Sequence, residues 1–457
     1  MGCADRCHFI PPYLLRHLAA AGPAQVSAGS RSTLLVDDVL RERRLERPPV
    51  RTAVAGAGRF VVHSADNTED LPGRPVRFDG DAPSGDERVD DAYGGTAATL
   101  DMFEEVFGRA SVDGAGSAVS VTVHYGTAYV NAFWDGAQLV FGDGDGVVFG
   151  PFTRPIDVLA HEFTHGVTQF SAGLTYRGQS GALNESVSDV FASLVKQRVA
   201  GETADAADWL IGAGIFLPHV QGRALRSMKE PGTAYDDPRL GTDPQVGSMA
   251  AYVETTDDNG GVHINSGIPN RAFHLTATAI GGHSWEAPGR IWYDTLTGGQ
   301  IQPSANFEAF ATATIQSASR LYGAGSAEAD AVRAAWSTVG VGRAPRRDLA
   351  ASGVAASEPS GASVSASPVS RVSVRCTGGF AGLSRSASMD VRSDPAGPAV
   401  AALLSRIDYT SLIGWTPMPD RLVYTVEVDD ERFDVPEQAM PPELSEVVRL
   451  VLGDQID

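Results

Sequence analysis

One stretch, IDVLAHEFTHGVTQF at residues 156–170, constrains this chain more than any other. Ile156, Leu159, Ala160, Phe163 and Val167 recur at helical spacing, and Pro155 stands where a first turn tolerates a residue without an N–H. The segment predicts a helix with a buried face. His161 and His165 then share one side of it, about 6 Å apart along the axis. Two imidazoles so placed can converge on one zinc ion, and Glu162 can reach a water there without being a ligand. By residue frequencies an H-E-x-x-H string arises in roughly one chain in a hundred of this length, so the pattern needs a third ligand.

GALNESVSDVFASLVKQ, residues 181–197, supplies one. It reads as a second helix, with Glu185 and Asp189 four residues apart among apolar side chains that suggest burial. Two buried carboxylates are costly unless they are paired or bind a metal. Glu185 can ligate zinc, and Asp189 can accept the free N–H of a ligand histidine and fix its tautomer. Three protein ligands leave a fourth position for water, as a catalytic site requires.

At 457 residues the chain is too long for one ordinary core. Its net charge of −20 argues against a nucleic-acid partner. Only Cys3, Cys7 and Cys376 are present, which makes a disulfide framework a poor reading. Pro11-Pro12 and Arg16-His17 break the apolar stretch near the N-terminus, so no signal peptide is recognised. No apolar run approaches the ~20 residues that span a bilayer. The expected location is cytoplasmic, or secreted by a non-classical route.

Residues 1–50 are Arg-rich and end in ERPPVR, a plausible exposed processing site. Residues 51–150 mix β-like runs (Arg59–His63, Val119–Tyr125, Ala137–Phe141) with Gly/Asp turns, and 151–342 carry several helical patterns. Residues 343–370 are Ala/Ser/Pro-rich with almost no large apolar side chain, a disordered linker by composition. Residues 371–457 read as a small α+β domain. RVSVRC and SASMDV are strands, PAVAALLSRID is a helix, RLVYTVEVDDERFDV is a hairpin about Asp-Asp, and PPELSEVVRLVLG is a final helix.

HEFTH followed by NESVSD resembles the thermolysin family, with Glu185 in the third-ligand position. NAFWDGAQLVFGDGDG (131–146), AGLTY (172–176), LRSM (225–228) and DNGGVHINSGIPN (258–270) match the family in the same order. The resemblance implies a multidomain α+β chain: a two-lobed peptidase, β-rich then mainly helical, followed by the small domain. It also implies a neutral endopeptidase, with one Zn2+ per chain, that cuts polypeptides before large hydrophobic residues. By matching position Glu162 would be the general base and His263, oriented by Asp258, an oxyanion donor, with Tyr176 a second. Asn131 and Ala132 would hold the substrate backbone, and Arg226 a carbonyl on the primed side. Phe149, Val158 and Leu225 would line the pocket for the residue after the cut.

Two departures matter. Asp157 matches a calcium ligand of thermolysin, but Lys196 stands where an acidic ligand belongs, and Arg223 replaces another. The implied calcium sites are therefore absent, while Asp143 and Asp145 read as turn residues. CHFIPPYLLRHLA resembles the short precursor segment of the protealysin branch, so residues 1–50 read as a propeptide. RVSVRCTGGFAGLSRSASMDV with LVYTVEVDD resembles emfourin, a small inhibitor of protealysin-like enzymes. Fused to the peptidase, it would be an intramolecular inhibitor domain.

Overall fold

The computed structural model describes residues 7–46, 58–342 and, between 371 and 452, the elements given below. Two compact units divide between Asp348 and Leu349. The first contains a six-stranded mixed sheet of β1 (Cys7–His8), β2 (Phe60–Ser64), β3 (Arg74–Phe78), β4 (Val119–Val123), β5 (Ala132–Trp134) and β6 (Gln138–Phe141). Their order is β1-β5-β6-β4-β2-β3. The central pairs β2/β4 and β4/β6 are parallel and the others antiparallel. Parallel strands need cover on both faces, and all five side chains of β2 are buried.

Helices α1 (Pro12–Ala21) and α2 (Ala24–Glu46) precede β2, and α3 (Glu87–Phe107) packs on it. The sequence reading had only strands and turns between 51 and 150, so α3 is a correction. Gly94-Gly95 interrupts its apolar period. Gly95 has a packing reason, since a Cβ there would come within 3.2 Å of Leu159 Cδ1 on the neighbouring helix. The ends of α3 are well marked. The Asp86 carboxylate accepts from the Arg88 and Val89 N–H groups, and Gly108 closes the helix in the left-handed region.

The site-bearing helices follow: α4 (Ile156–Gln169), α5 (Gly178–Ala200), α6 (Asp258–Asn265) and α7 (Gly267–Ile280). α8 (Ala287–Thr297), α9 (Phe307–Tyr322) and α10 (Ala327–Thr338) complete the helical half. One apolar cluster runs through both halves and includes Phe9, Ile10, Leu14, Leu15, Leu18 and Val26. The N-terminal segment is thus part of the same core, not an appendage on it.

The second unit has its own antiparallel sheet, in the order Leu383–Asp390, Arg371–Gly378, Leu422–Val428, Glu431–Pro436. Helices Gly397–Leu404 and Pro442–Leu452 accompany it. Val372, Val374, Val400, Val426, Val435 and Val447 form the centre of a separate core. The hairpin expected at 421–435 is present, with Val428 paired to Glu431. Residues 343–370, the turn at 379–382 and residues 405–408 of the expected helix lie outside the described residues.

His124 fastens the α3 cap to the loop after β6. Its Nδ1 lies 2.7 Å from Asp143 and its Nε2 3.0 Å from Asp86. These two carboxylates outweigh partial burial and raise the imidazole to about 9. A folded-state value above the unfolded one stabilises the fold fully below about 6.5 and loses that effect as pH rises through 9. Asp86 is half-exposed, so screening reduces the gain to about 1–2 kcal/mol. His124 has φ of 54°, which asparagine tolerates. The melting-temperature gap between wild type and His124→Asn should therefore shrink by a few degrees between pH 6.5 and 9.5. A gap constant with pH would refute the assignment.

Candidate active site

α4 and α5 pack side by side and bring His161, His165 and Glu185 together, each buried. His161 Nε2 lies 3.0 Å from His165 Nε2 and 3.4 Å from Glu185 Oε2, and His165 Nε2 lies 3.5 Å from Glu185 Oε1. Donors 2.0–2.1 Å from a common tetrahedral centre would be about 3.3 Å apart. The three side chains therefore fit one small cation. Glu185 Oε2 closes no hydrogen bond in the protein, as expected of an oxygen reserved for a metal.

The far ring nitrogens are occupied. His161 Nδ1 meets Asp189 Oδ1 at 2.9 Å, and His165 Nδ1 meets Asn184 Oδ1 at 2.9 Å and Ser188 Oγ at 3.1 Å. Acceptors on Nδ1 leave both Nε2 lone pairs for a metal. Burial pushes His165 down to about 3. Burial also opposes charge on His161, but Asp189 and Glu185 outweigh it and raise that ring to about 9, giving it a proton that a metal would displace from Nε2. Asp189 is itself clamped. Arg226 donates through Nε and Nη2 at 2.8 and 2.7 Å, and Asn270 donates at 2.8 Å. Against burial, Arg226 and His161 keep the Asp189 carboxyl at about 2.

Glu162 is fully buried, and no side chain among the described residues hydrogen-bonds its carboxyl, which has the Trp134 backbone beside it. Burial pushes it up to about 8. A buried carboxyl with so little support is costly for a fold, so its retention points to chemistry. His263 lies on α6, its Nε2 3.5 Å from Glu185 Oε2. Asp258, Asn259, Gly260 and Gly261 all have left-handed φ between 52° and 88°. That turn folds the Asp258 carboxylate back onto His263, 2.6 Å from Nδ1 and 2.9 Å from its backbone N. Burial disfavours an imidazolium there, yet Asp258 and Glu185 hold it at about 8. The Tyr176 hydroxyl donates to Glu185 and lies 3.2 Å from His263 Nε2.

The other residues expected at the site are placed as follows. Asn131 and Ala132 sit at the start of β5, and Arg226 lies beyond Asp189. Phe149, Val158 and Leu225 are buried in the common core. Asp157 and Lys196 lie apart from the centre, 3.7 Å from each other. Lys196 also reaches Asp208 at 2.7 Å, a partner the sequence reading missed.

The sequence reading also missed what occupies the cleft. β1 pairs with β5, Cys7 opposite Trp134 and His8 opposite Phe133. The Phe9 ring stands edge-on to His161, with centroids 5.3 Å apart, and its tip would meet a Cβ on Gly212 at 3.1 Å. From α2, Asp37 accepts from Asn131 Nδ2 at 3.2 Å and from the Tyr129 hydroxyl. CHFI is a short apolar run before Pro11-Pro12. That was a signal for an extended segment but not for where it lies.

A two-histidine, one-glutamate centre with an adjacent buried carboxyl defines a metal-dependent hydrolase. Family models give its kind: "Thermolysin metallopeptidase, catalytic domain" matches residues 66–169, its "alpha-helical domain" matches 172–341, and Emfourin matches 374–452. The chain belongs to the thermolysin metallopeptidase family, in its protealysin branch, with an emfourin domain after the peptidase. It is 50% identical over 336 residues to the extracellular metalloprotease of Pectobacterium carotovorum subsp. carotovorum, covering 73% of this chain and 96% of that protein. It is 40% identical to a thermolysin of Alicyclobacillus acidocaldarius, covering 63% of this chain and 51% of that one. Among solved structures it resembles the precursor of protealysin from Serratia proteamaculans. There the TM-score is 0.67 at 47% identity, over 73% of this chain and 99% of that chain. The chain is a metalloendopeptidase.

Proposed function

We propose that His161, His165 and Glu185 hold one Zn2+ per chain and that the site hydrolyses polypeptides before large hydrophobic residues. Two imidazoles and one carboxylate suit zinc, whereas calcium takes six to eight oxygens. When bound, zinc supplies Lewis-acid activation. The chain does the rest. Glu162 takes a proton from water and passes it to the leaving amine. His263, held by Asp258, and Tyr176 donate to the carbonyl oxygen as negative charge develops on it. Asn131 and the Ala132 carbonyl hold the substrate backbone, Arg226 a carbonyl on the primed side, and Phe149, Val158 and Leu225 an apolar side chain. The observation that carries this reading is the fully buried Glu162 carboxyl beside three converging donors.

Residues 1–50 act as propeptide, 51–150 and 151–342 as the two lobes, 343–370 as linker and 371–457 as inhibitor. The location of β1 in the cleft and the match to a protease precursor support the first assignment. The emfourin match supports the last. Tethering through about 28 residues of Ala/Ser/Pro-rich composition reaches roughly 30 Å and gives a fused domain a millimolar effective concentration. The name of the Pectobacterium relative supports secretion.

No calcium is needed at Asp157. The Lys196 ammonium stands beside it and donates to the Leu210 carbonyl at 2.7 Å. Burial pushes Asp157 up and Lys196 opposes that. Lys196→Met should cost about 2–3 kcal/mol by leaving a buried carboxylate without its cation, and calcium should leave the wild-type melting temperature unchanged. A wild type strongly stabilised by calcium would contradict this.

Casein hydrolysis that a chelator abolishes and zinc restores tests the main reading. Truncation near Ser360 should raise that activity, and added 371–457 fragment should lower it competitively. If zinc-loaded protein cleaves no polypeptide even after truncation and proteolytic removal of residues 1–50, the reading fails.

A further inference from the structure

The backbone of His8–Ile10 meets four of the groups assigned above to a substrate. The His8 carbonyl accepts from His263 Nε2 at 3.0 Å, where an oxyanion would develop. The Phe9 N–H donates to the Ala132 carbonyl at 3.0 Å, where a leaving amine would be held. The Phe9 carbonyl accepts from Arg226 at 3.3 Å, and the Ile10 N–H donates to Asn131 Oδ1 at 2.8 Å. Phe9 itself is a large apolar side chain, wholly buried between His161 and Gly212. The bond lying between the oxyanion donor and the leaving-amine acceptor is His8–Phe9. A segment that only obstructs the cleft has no need of this direction or register. Proline, which lacks an N–H for Ala132, first occurs at Pro11.

We propose that His8–Phe9 is a peptide bond that this chain hydrolyses in its own cleft, so the N-terminal segment is a tethered substrate as well as a cover. This rests on the peptidase reading above. Water oxygen joins the His8 carbonyl carbon, the bond to the Phe9 nitrogen breaks, and Glu162 carries the water proton to that nitrogen. The products are a His8 carboxylate and a Phe9 amine. The anchoring side chains Phe9, Ile10, Leu14, Leu15, Leu18 and Val26, all at most 1% exposed, lie beyond the cut. The nick therefore frees residues 1–8 and leaves the primed side of the cleft covered. Nicking and opening are separate events.

The test follows zinc-loaded full-length chain by intact mass and N-terminal sequencing, with casein hydrolysis in parallel. A new N-terminus at Phe9 is expected, with a half-time unchanged on dilution by about tenfold, as an intramolecular cut requires. Glu162→Gln should not form it. Phe9→Asp should form its equivalent at least about tenfold more slowly, from loss of the apolar contact. Phe9→Leu should retain the cut, which separates recognition from a folding defect. Casein hydrolysis after proteolytic removal of residues 1–50, with no Phe9 terminus formed in the full-length chain, overturns the inference and leaves the peptidase reading standing. Failure of both sinks both. A Phe9 terminus that forms equally in Glu162→Gln, or a half-time that lengthens on dilution, assigns the cut to another molecule and overturns the proposal.

Discussion

Glu162→Gln should lower kcat/KM on casein by about three orders of magnitude while zinc content stays at one per chain, because proton transfer and metal binding use different side chains. Glutamine keeps the shape of the side chain and removes only its ability to take and release a proton. The stability of the variant should hold. The wild-type carboxyl is fully buried and burial pushes it up to about 8, so at neutral pH it is largely the neutral acid. An amide of the same shape replaces it without adding charge, so the melting temperature of Glu162→Gln should stay close to that of wild type. Activity falling while stability holds marks a group kept for function. Metal analysis, casein kinetics and thermal scans on one preparation check all three. A variant retaining activity within about tenfold of wild type, or one that loses its zinc, would remove Glu162 from the role of base.

The metal centre was legible in the sequence because its parts are local. His161 and His165 share a helix face at fixed spacing, and Glu185 and Asp189 repeat that spacing on the next helix, so only one helix pairing had to be supplied. Asp258 and His263 were legible through their motif, although the left-handed turn that joins them follows from Asn259-Gly260-Gly261. What was hidden is nonlocal. Asn270 reaches Asp189 across 81 residues, and Asp37 reaches Asn131 across 94. No periodicity encodes such pairings. β1 was hidden for another reason: two residues cannot show alternation, and their pairing comes from the open edge of β5, 125 residues away. α3 was obscured by Gly94-Gly95, whose helix-breaking tendency is overridden by close packing on α4.

The second large effect belongs to Glu185→Ala. Apparent zinc-binding free energies of about 10–16 kcal/mol, shared among three ligands, imply roughly 3–5 kcal/mol for each. Loss of Glu185 should therefore weaken zinc by about two to four orders of magnitude, measured by competition with a chromophoric chelator. Asp189→Asn acts only through His161 and should weaken it by about 10–100-fold. Activity would fall in both variants and cannot tell a ligand from a structural ion pair, since Glu185 also lies near His161, His165 and His263. Thermal stability can. A metal that binds only the folded state adds about 4 kcal/mol at a thousandfold excess over Kd. Chelation should lower the wild-type melting temperature and zinc should restore it, while Glu185→Ala should melt at one temperature in chelator and at modest zinc. If the wild type also ignores the chelator, the three side chains are an ion-paired core and not a metal centre. If Glu185→Ala responds to zinc as strongly as wild type does, the third ligand lies elsewhere.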